Sequence, residues 1–295
     1  MSVMKKWVPL LCLVFLAIIG SFYLAQSKKE SSIEQSKKDL KNQIPIILLH
    51  GSGGDEYSFS PFSEELIQKE DSSSEVLPVT INEDGLLDYQ GSLNSDTNRP
   101  LISLGFTENN APIEDWSAWL KILMIDLKKH YGFQQADIVG YSNGGLAATY
   151  YAETIGHDSD VPTLRRLVLI GAPFNDLDEE ENAGNANFEE LVSQSPELGN
   201  YLAIKQHLSK DLAVLSIAGD DETETYTDGI VPLRSALSSR FIFPEYVHTY
   251  FEKITTEGPS DHLSLLSNQQ VIDWTYWFLF DYKLAKEREI IFASQ

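Results

Sequence analysis

The sequence predicts an α/β domain: a mostly parallel central sheet with helices on both faces and a small cap between two late strands. Three observations predict it. Short runs apolar at consecutive positions recur, beginning with Ile44-Pro45-Ile46-Ile47-Leu48-Leu49, and a strand buried on both faces reads as such a run. Between these runs lie segments apolar at helical spacing, the strongest from Glu114 to His130. Glycines follow several of the runs directly, as in His50-Gly51-Ser52-Gly53-Gly54 and Gly171-Ala172-Pro173. Buried strands alternating with amphipathic helices are the pattern of a parallel sheet covered on both sides.

The N-terminus is read separately from this domain. Lys5 and Lys6 precede an uncharged apolar run of 19 residues from Trp7 to Ala25, and polar Ser27-Lys28-Lys29-Glu30 follows. As a helix the run would reach about 28 Å, close to a bilayer core of roughly 30 Å. It is long for a secretory signal, and Tyr23 is bulky for the -3 position of a cut after Ala25. Residues 1–26 are therefore expected to be an uncleaved signal anchor, with a cleaved signal peptide as the alternative. Residues 27–42 read as a polar spacer and 43–295 as the domain, which the anchor would hold outside the membrane. The single cysteine, Cys12, lies inside the apolar run and reads as a small hydrophobe there. Without cysteine the domain has no disulfide framework and no thiolate metal site.

Of 295 residues, 22 are basic and 44 acidic, a net charge of −22; from Asn42 onward the counts are 15 and 41. Such a surface repels phosphate backbones, so nucleic acid is excluded as an expected partner.

After the first strand a helix is expected with Ser60 as N-cap and Pro61 at N1, its stripe being Phe62, Leu66 and Ile67. Val76–Asn82 and Leu101–Phe106 read as strands, with turn signals at Glu83-Asp84-Gly85 and Tyr89-Gln90-Gly91 suggesting a hairpin-like excursion at the sheet edge. In the helix from Glu114, residues Trp116, Trp119, Leu120, Leu123 and Leu127 form the core face, and Glu114 and Asp115 suit its N-terminal dipole. Further strands are expected at Leu167–Pro173, Asp211–Ala218 and Val247–Ile254, then a last helix carrying Val271, Trp274, Trp277 and Phe278. The acidic, Asn-rich stretch at about 174–209 supplies the cap.

The chemistry centres on Ile138-Val139-Gly140-Tyr141-Ser142-Asn143-Gly144-Gly145. A β-branched strand stops, one serine follows, and an Ala-rich helix begins. Gly140-x-Ser142-x-Gly144 at a strand-to-helix junction fits a nucleophile elbow, which lifts a serine hydroxyl off the sheet. A serine needs a histidine base, and the histidine an acid to fix its tautomer. In this architecture the chain order is serine, acid, histidine. Asp228, in Thr227-Asp228-Gly229-Ile230-Val231-Pro232, is preferred as acid because a glycine and an apolar segment lock the end of its loop. Asp220 and Asp221 are the alternatives. His262, in Ser260-Asp261-His262, alone lies in a loop after the last strand; His130, His157, His207 and His248 belong to helix ends, the cap or that strand. His50 precedes its turn and reads as structural. The backbone N–H groups of Ser52 and Asn143 are the expected oxyanion donors, with Gly53 as neighbour to Ser52. No cofactor and no metal are expected, since the acidic loop 220–228 matches no calcium-loop spacing.

These four motifs, in this order between Ile44 and Tyr282, resemble alpha/beta hydrolase-fold proteins, and more closely the uncharacterised cell-surface alpha/beta hydrolases of Gram-positive bacteria. The resemblance implies Ser142 as nucleophile, Asp228 as acid and His262 as base. Relatives often carry His and Met at the places of Tyr141 and Asn143, and neither change removes the backbone N–H required. The expected activity is an extracytoplasmic serine hydrolase acting on carboxylic esters, small or lipid-like, with the membrane as a partner through the N-terminal segment. An acyltransferase using the same triad, and a non-catalytic membrane-tethered binding protein, are the alternatives.

Overall fold

The computed structural model describes residues 40–94, 96–222 and 225–280. The expected anchor and most of the spacer lie outside these residues. Among the described residues no helix is long and apolar enough to cross a membrane.

Eight strands form one sheet: β1 (Ile46–Leu49), β2 (Val76–Ile81), β3 (Leu87–Tyr89), β4 (Leu101–Phe106), β5 (Gln135–Tyr141), β6 (Thr163–Ile170), β7 (Ala213–Gly219) and β8 (Thr249–Thr255). Their order is β3-β2-β4-β1-β5-β6-β7-β8, parallel throughout except for β3, which runs antiparallel to β2 at the edge. The helices are α1 (Ser60–Ile67), α2 (Ile113–Tyr131), α3 (Asn143–Thr154), α4 (Pro196–Ile204), α5 (Leu233–Leu237) and α6 (Gln269–Phe280).

Period-two side-chain direction divides the apolar runs between two cores. Ile47 and Leu49 of β1, with Ile138 of β5 and Leu167 and Leu169 of β6, pack on one face with Trp116, Leu120 and Leu127 of α2 and Ala147 and Tyr151 of α3. Ile46 and Leu48, with Val139, Val168 and Ile170, pack on the other against Phe62 and Leu66 of α1 and Val271 and Phe278 of α6. Each such side chain removed from water contributes about 1.5–3 kcal/mol, so the two cores dominate what holds the sheet between its helices. Trp274 and Trp277 are only partly buried against the second core.

Several expected boundaries move. The hairpin is β2–β3, and Leu101–Phe106 is no part of an edge excursion. All six of its residues are buried, and it pairs between β2 and β1. Ser60 is the first residue of α1 rather than its cap; Phe59 occupies the cap position and no side chain caps the helix. The strand expected at Leu167–Pro173 starts at Thr163 and stops at Ile170, because Gly171 turns the chain with φ +58°.

The early start of β6 has an electrostatic cause. Asp137 is fully buried near the start of β5, and Arg165 grips it with Nε on Oδ1 (3.0 Å) and Nη2 on Oδ2 (2.6 Å). Arg99 donates to the same carboxylate and also to the carbonyl oxygen of Leu279, which Arg166 shares. The base of the sheet is thus stapled to the end of α6. Losing one partner of such a buried set costs roughly 3–5 kcal/mol, because a charge is left uncompensated. The first described residues reach the same base: Gln43 Oε1 accepts the N–H of Arg99, and Ile46 N–H donates to Pro100 O.

The segment at 174–209 is mostly turns, with α4 near its end. Asn175 and Asn182 bind each other inside it, with 2.9 Å from Asn175 Nδ2 to Asn182 Oδ1. Ser195 caps α4 by accepting from Leu198 N–H. Arg240 donates to the carbonyls of Ala186 and Phe188 at 3.0 Å each, which pins the segment to the turn after α5.

Candidate active site

The site lies where β1, β5 and β7 end at the C-terminal rim of the sheet. At the end of β5 the chain reverses through Ser142, whose φ of 54° and ψ of −128° no β-strand or helix residue adopts. Non-glycine residues hold such angles only when surrounding structure over-determines them. Here the surroundings are glycines. A Cβ on Gly140 would fall 2.5 Å from Gly144 O, and one on Gly144 would fall 2.3 Å from Leu49 O. A Cβ on Gly51 would meet Ser142 Cβ at 2.8 Å, so the loop after β1 lies directly against the serine.

Ser142 Oγ is 3.1 Å from His262 Nε2, and His262 Nδ1 is 2.7 Å from Asp228 Oδ2. The other Asp228 oxygen accepts N–H groups from Ile230 (3.1 Å) and Val231 (2.7 Å). His262 N–H donates to Asp228 O at 2.7 Å, tying backbone to backbone as well. The lock expected from the glycine and apolar segment after Asp228 is therefore made of hydrogen bonds. His262 is 4% and Asp228 2% exposed, whereas Ser142 is only half-buried. A carboxylate, an imidazole and an accessible hydroxyl in this chain meet the geometric requirement for general-base activation of the oxygen.

Asp220 and Asp221, the alternative acids, do not reach the histidine. The Asp220 carboxylate accepts the N–H of Glu222, and burial raises its pKa above the usual carboxylate range. Asp221 is held through its own N–H to Thr227 O.

Ser52 and Asn143, the expected oxyanion donors, flank the serine from the β1 loop and from the first turn of α3. The neighbouring candidate is taken: Gly53 N–H donates to Asn109 O at 2.9 Å, and Asn109 Nδ2 donates to Gly54 O at 3.0 Å. His50 is structural. It is fully buried, its Nε2 accepts Phe106 N–H at 3.0 Å, and its Nδ1–H therefore donates to Gly51 O at 2.6 Å. Burial lowers its pKa, which keeps this tautomer neutral.

Three contributors were not singled out from the sequence. Tyr141 donates its hydroxyl to His262 O at 2.8 Å, and its ring lies 5.0 Å from the imidazole. Asn109 fixes the β1 loop. Gly171 lies under the imidazole, where a Cβ would come within 3.2 Å of the ring. Only Tyr141 carried a signal, as a polar aromatic directly before the serine.

A strained serine on a strand-to-helix turn at the rim of a parallel sheet defines the class of alpha/beta hydrolases. Residues 33–282 match the family described as "Alpha/beta hydrolase of unknown function (DUF915)", and the chain belongs to that family. Among solved structures, the product of the gene lin2722 of Listeria innocua is 45% identical with a TM-score of 0.78; the match covers 81% of this chain and 94% of that one. A protein of Lactobacillus plantarum WCFS1 described as a "putative cell surface hydrolase" is 27% identical with a TM-score of 0.67, covering 82% and 92%. No curated protein sequence matches. The expected fold class and family resemblance are borne out.

Proposed function

We propose that this alpha/beta hydrolase is an extracytoplasmic serine hydrolase that cleaves carboxylic esters through an acyl-serine intermediate. One observation carries the reading: the continuous hydrogen-bonded chain Asp228–His262–Ser142, ending on a strained, accessible hydroxyl.

Ser142 Oγ attacks the acyl carbonyl while His262 Nε2 takes its proton. Asp228 holds the imidazole with Nε2 toward the serine and stabilises the imidazolium that forms. The tetrahedral oxyanion is held by the N–H groups of Ser52 and Asn143, each such donor contributing about 3 kcal/mol of transition-state stabilisation. Collapse breaks the ester C–O bond, and His262 returns the proton to the departing alcohol. Water then repeats the sequence on the acyl-serine and releases the acid.

Apolar side chains at the rim favour an ester with an apolar portion. Leu263, beside His262, is 79% exposed, and Ile230, two residues after Asp228, is 46% exposed. The extracytoplasmic address rests on the apolar N-terminal run and on the surface location in the Lactobacillus protein's description. Ser142→Ala is expected to abolish labelling by a fluorophosphonate and turnover of p-nitrophenyl esters. Undiminished labelling of that variant would overturn the proposal, and an acyl-length series on the wild type would define the ester class.

A further inference from the structure

The side chains of the two expected oxyanion donors are joined to each other. Asn143 Nδ2 donates to Ser52 Oγ at 2.7 Å, a link across 91 positions of sequence. It spans the gap between the loop after β1 and the first turn of α3, the two segments that meet at Ser142. On its far side the loop is held by Asn109 through Gly53 and Gly54. On its near side the loop is Gly51-Ser52-Gly53-Gly54, three glycines around one serine, with Gly53 at φ +73°. Backbone this rich in glycine resists displacement poorly.

We propose that the Asn143–Ser52 hydrogen bond is a clasp that positions the oxyanion donors. It fixes the Ser52 amide relative to the Asn143 amide so that both point at one oxygen. The inference rests on Ser142 being the nucleophile. Oxyanion donors work only when they stand about 2.7–3.1 Å from the oxygen of the transition state, so small loop displacements matter. Ser52 and Asn143 are positioning residues through their side chains; the backbone N–H groups would touch the reacting atom. Because Ser52 is exposed and Asn143 half-buried, removing the link should leave folding nearly unchanged and lower kcat.

The test compares Ser52→Ala, Asn143→Ala, the double variant and Ser52→Thr with wild type on p-nitrophenyl acetate. Each alanine variant is expected to lose about ten-fold in kcat, with KM and Tm unchanged. The double variant should be no slower than either single one, because one bond is lost in all three. Ser52→Thr, which keeps the hydroxyl, should retain activity. Singles with wild-type kcat, losses that multiply in the double variant, or a threonine variant as slow as the alanine would each overturn the clasp. Failure of the underlying reading is recognised separately: a wild type inert to both fluorophosphonate and ester overturns both, whereas a reactive wild type with equally fast variants overturns the clasp alone.

Discussion

Tyr141 shows how much of the geometry of the proposed Ser142–His262–Asp228 triad is set from outside it. Its hydroxyl holds the carbonyl of His262, and its ring lies beside the imidazole. Burial raises its phenol pKa, so it stays a neutral donor at any working pH. A net hydrogen bond contributes about 1 kcal/mol, which equals roughly a five-fold change in rate if it is lost only from the productive histidine position. Tyr141→Phe is therefore expected to lower kcat by about that factor while KM holds, measured on a soluble ester; an unchanged kcat would show that the turn at 262 needs no such tether. At this scale the sequence was legible where chemistry demands a residue type. Ser142, Asp228 and His262 stand out by order and loop position, and the structure brings them within hydrogen-bond reach of one another. Asn109 and Gly171 were not legible, because their contribution is a contact across the fold rather than a pattern along the chain.

Among the elements, α3 carries a feature that neither the elbow nor the sheet requires. Glu153, on its last turn, is 1% exposed, and neither carboxylate oxygen has a hydrogen-bond partner. Burial raises its pKa to about 9, opposed by the positive charge of Lys205. The folded chain thus keeps this proton where the unfolded chain, with an ordinary glutamate near 4.5, releases it. Between those two values the unfolded state binds fewer protons, so stability falls as pH rises, and the loss levels off above about 9. Glu153→Gln removes the titration. It is expected to match wild type in Tm near pH 5 and to exceed it increasingly towards pH 9, as thermal melts across that range would reveal. Parallel curves for the two proteins would mean that Glu153 is ionised in the folded state. Periodicity located most elements, since buried strands and helix faces must be apolar. It misjudged β6, because a first half that carries Arg165 and Arg166 looks polar until Asp137 and the Leu279 carbonyl are known to receive them. The interior place of β4 was equally hidden, since pairing partners leave no mark on a uniformly apolar run.

For the molecule as a whole, the sheet has two poles. Ser142, His262 and Asp228 stand at one, and the arginine-stapled base occupies the other, a full strand length of about 20 Å away. Both Gln43, three residues from the start of the described chain, and Leu279, one residue from its end, are bound by Arg99 at that base. A handle attached at Asn42, exposed and next to Gln43, therefore grips the pole remote from Ser142, the proposed nucleophile. Protein captured on beads through a cysteine placed by Asn42→Cys is expected to hydrolyse a bulky polymeric ester as fast as free protein does. Capture through a cysteine placed by Leu263→Cys should obstruct the same reaction. On any support that holds the chain by that base, the proposed doorway at Ser142 would look outward, toward whatever drifts past.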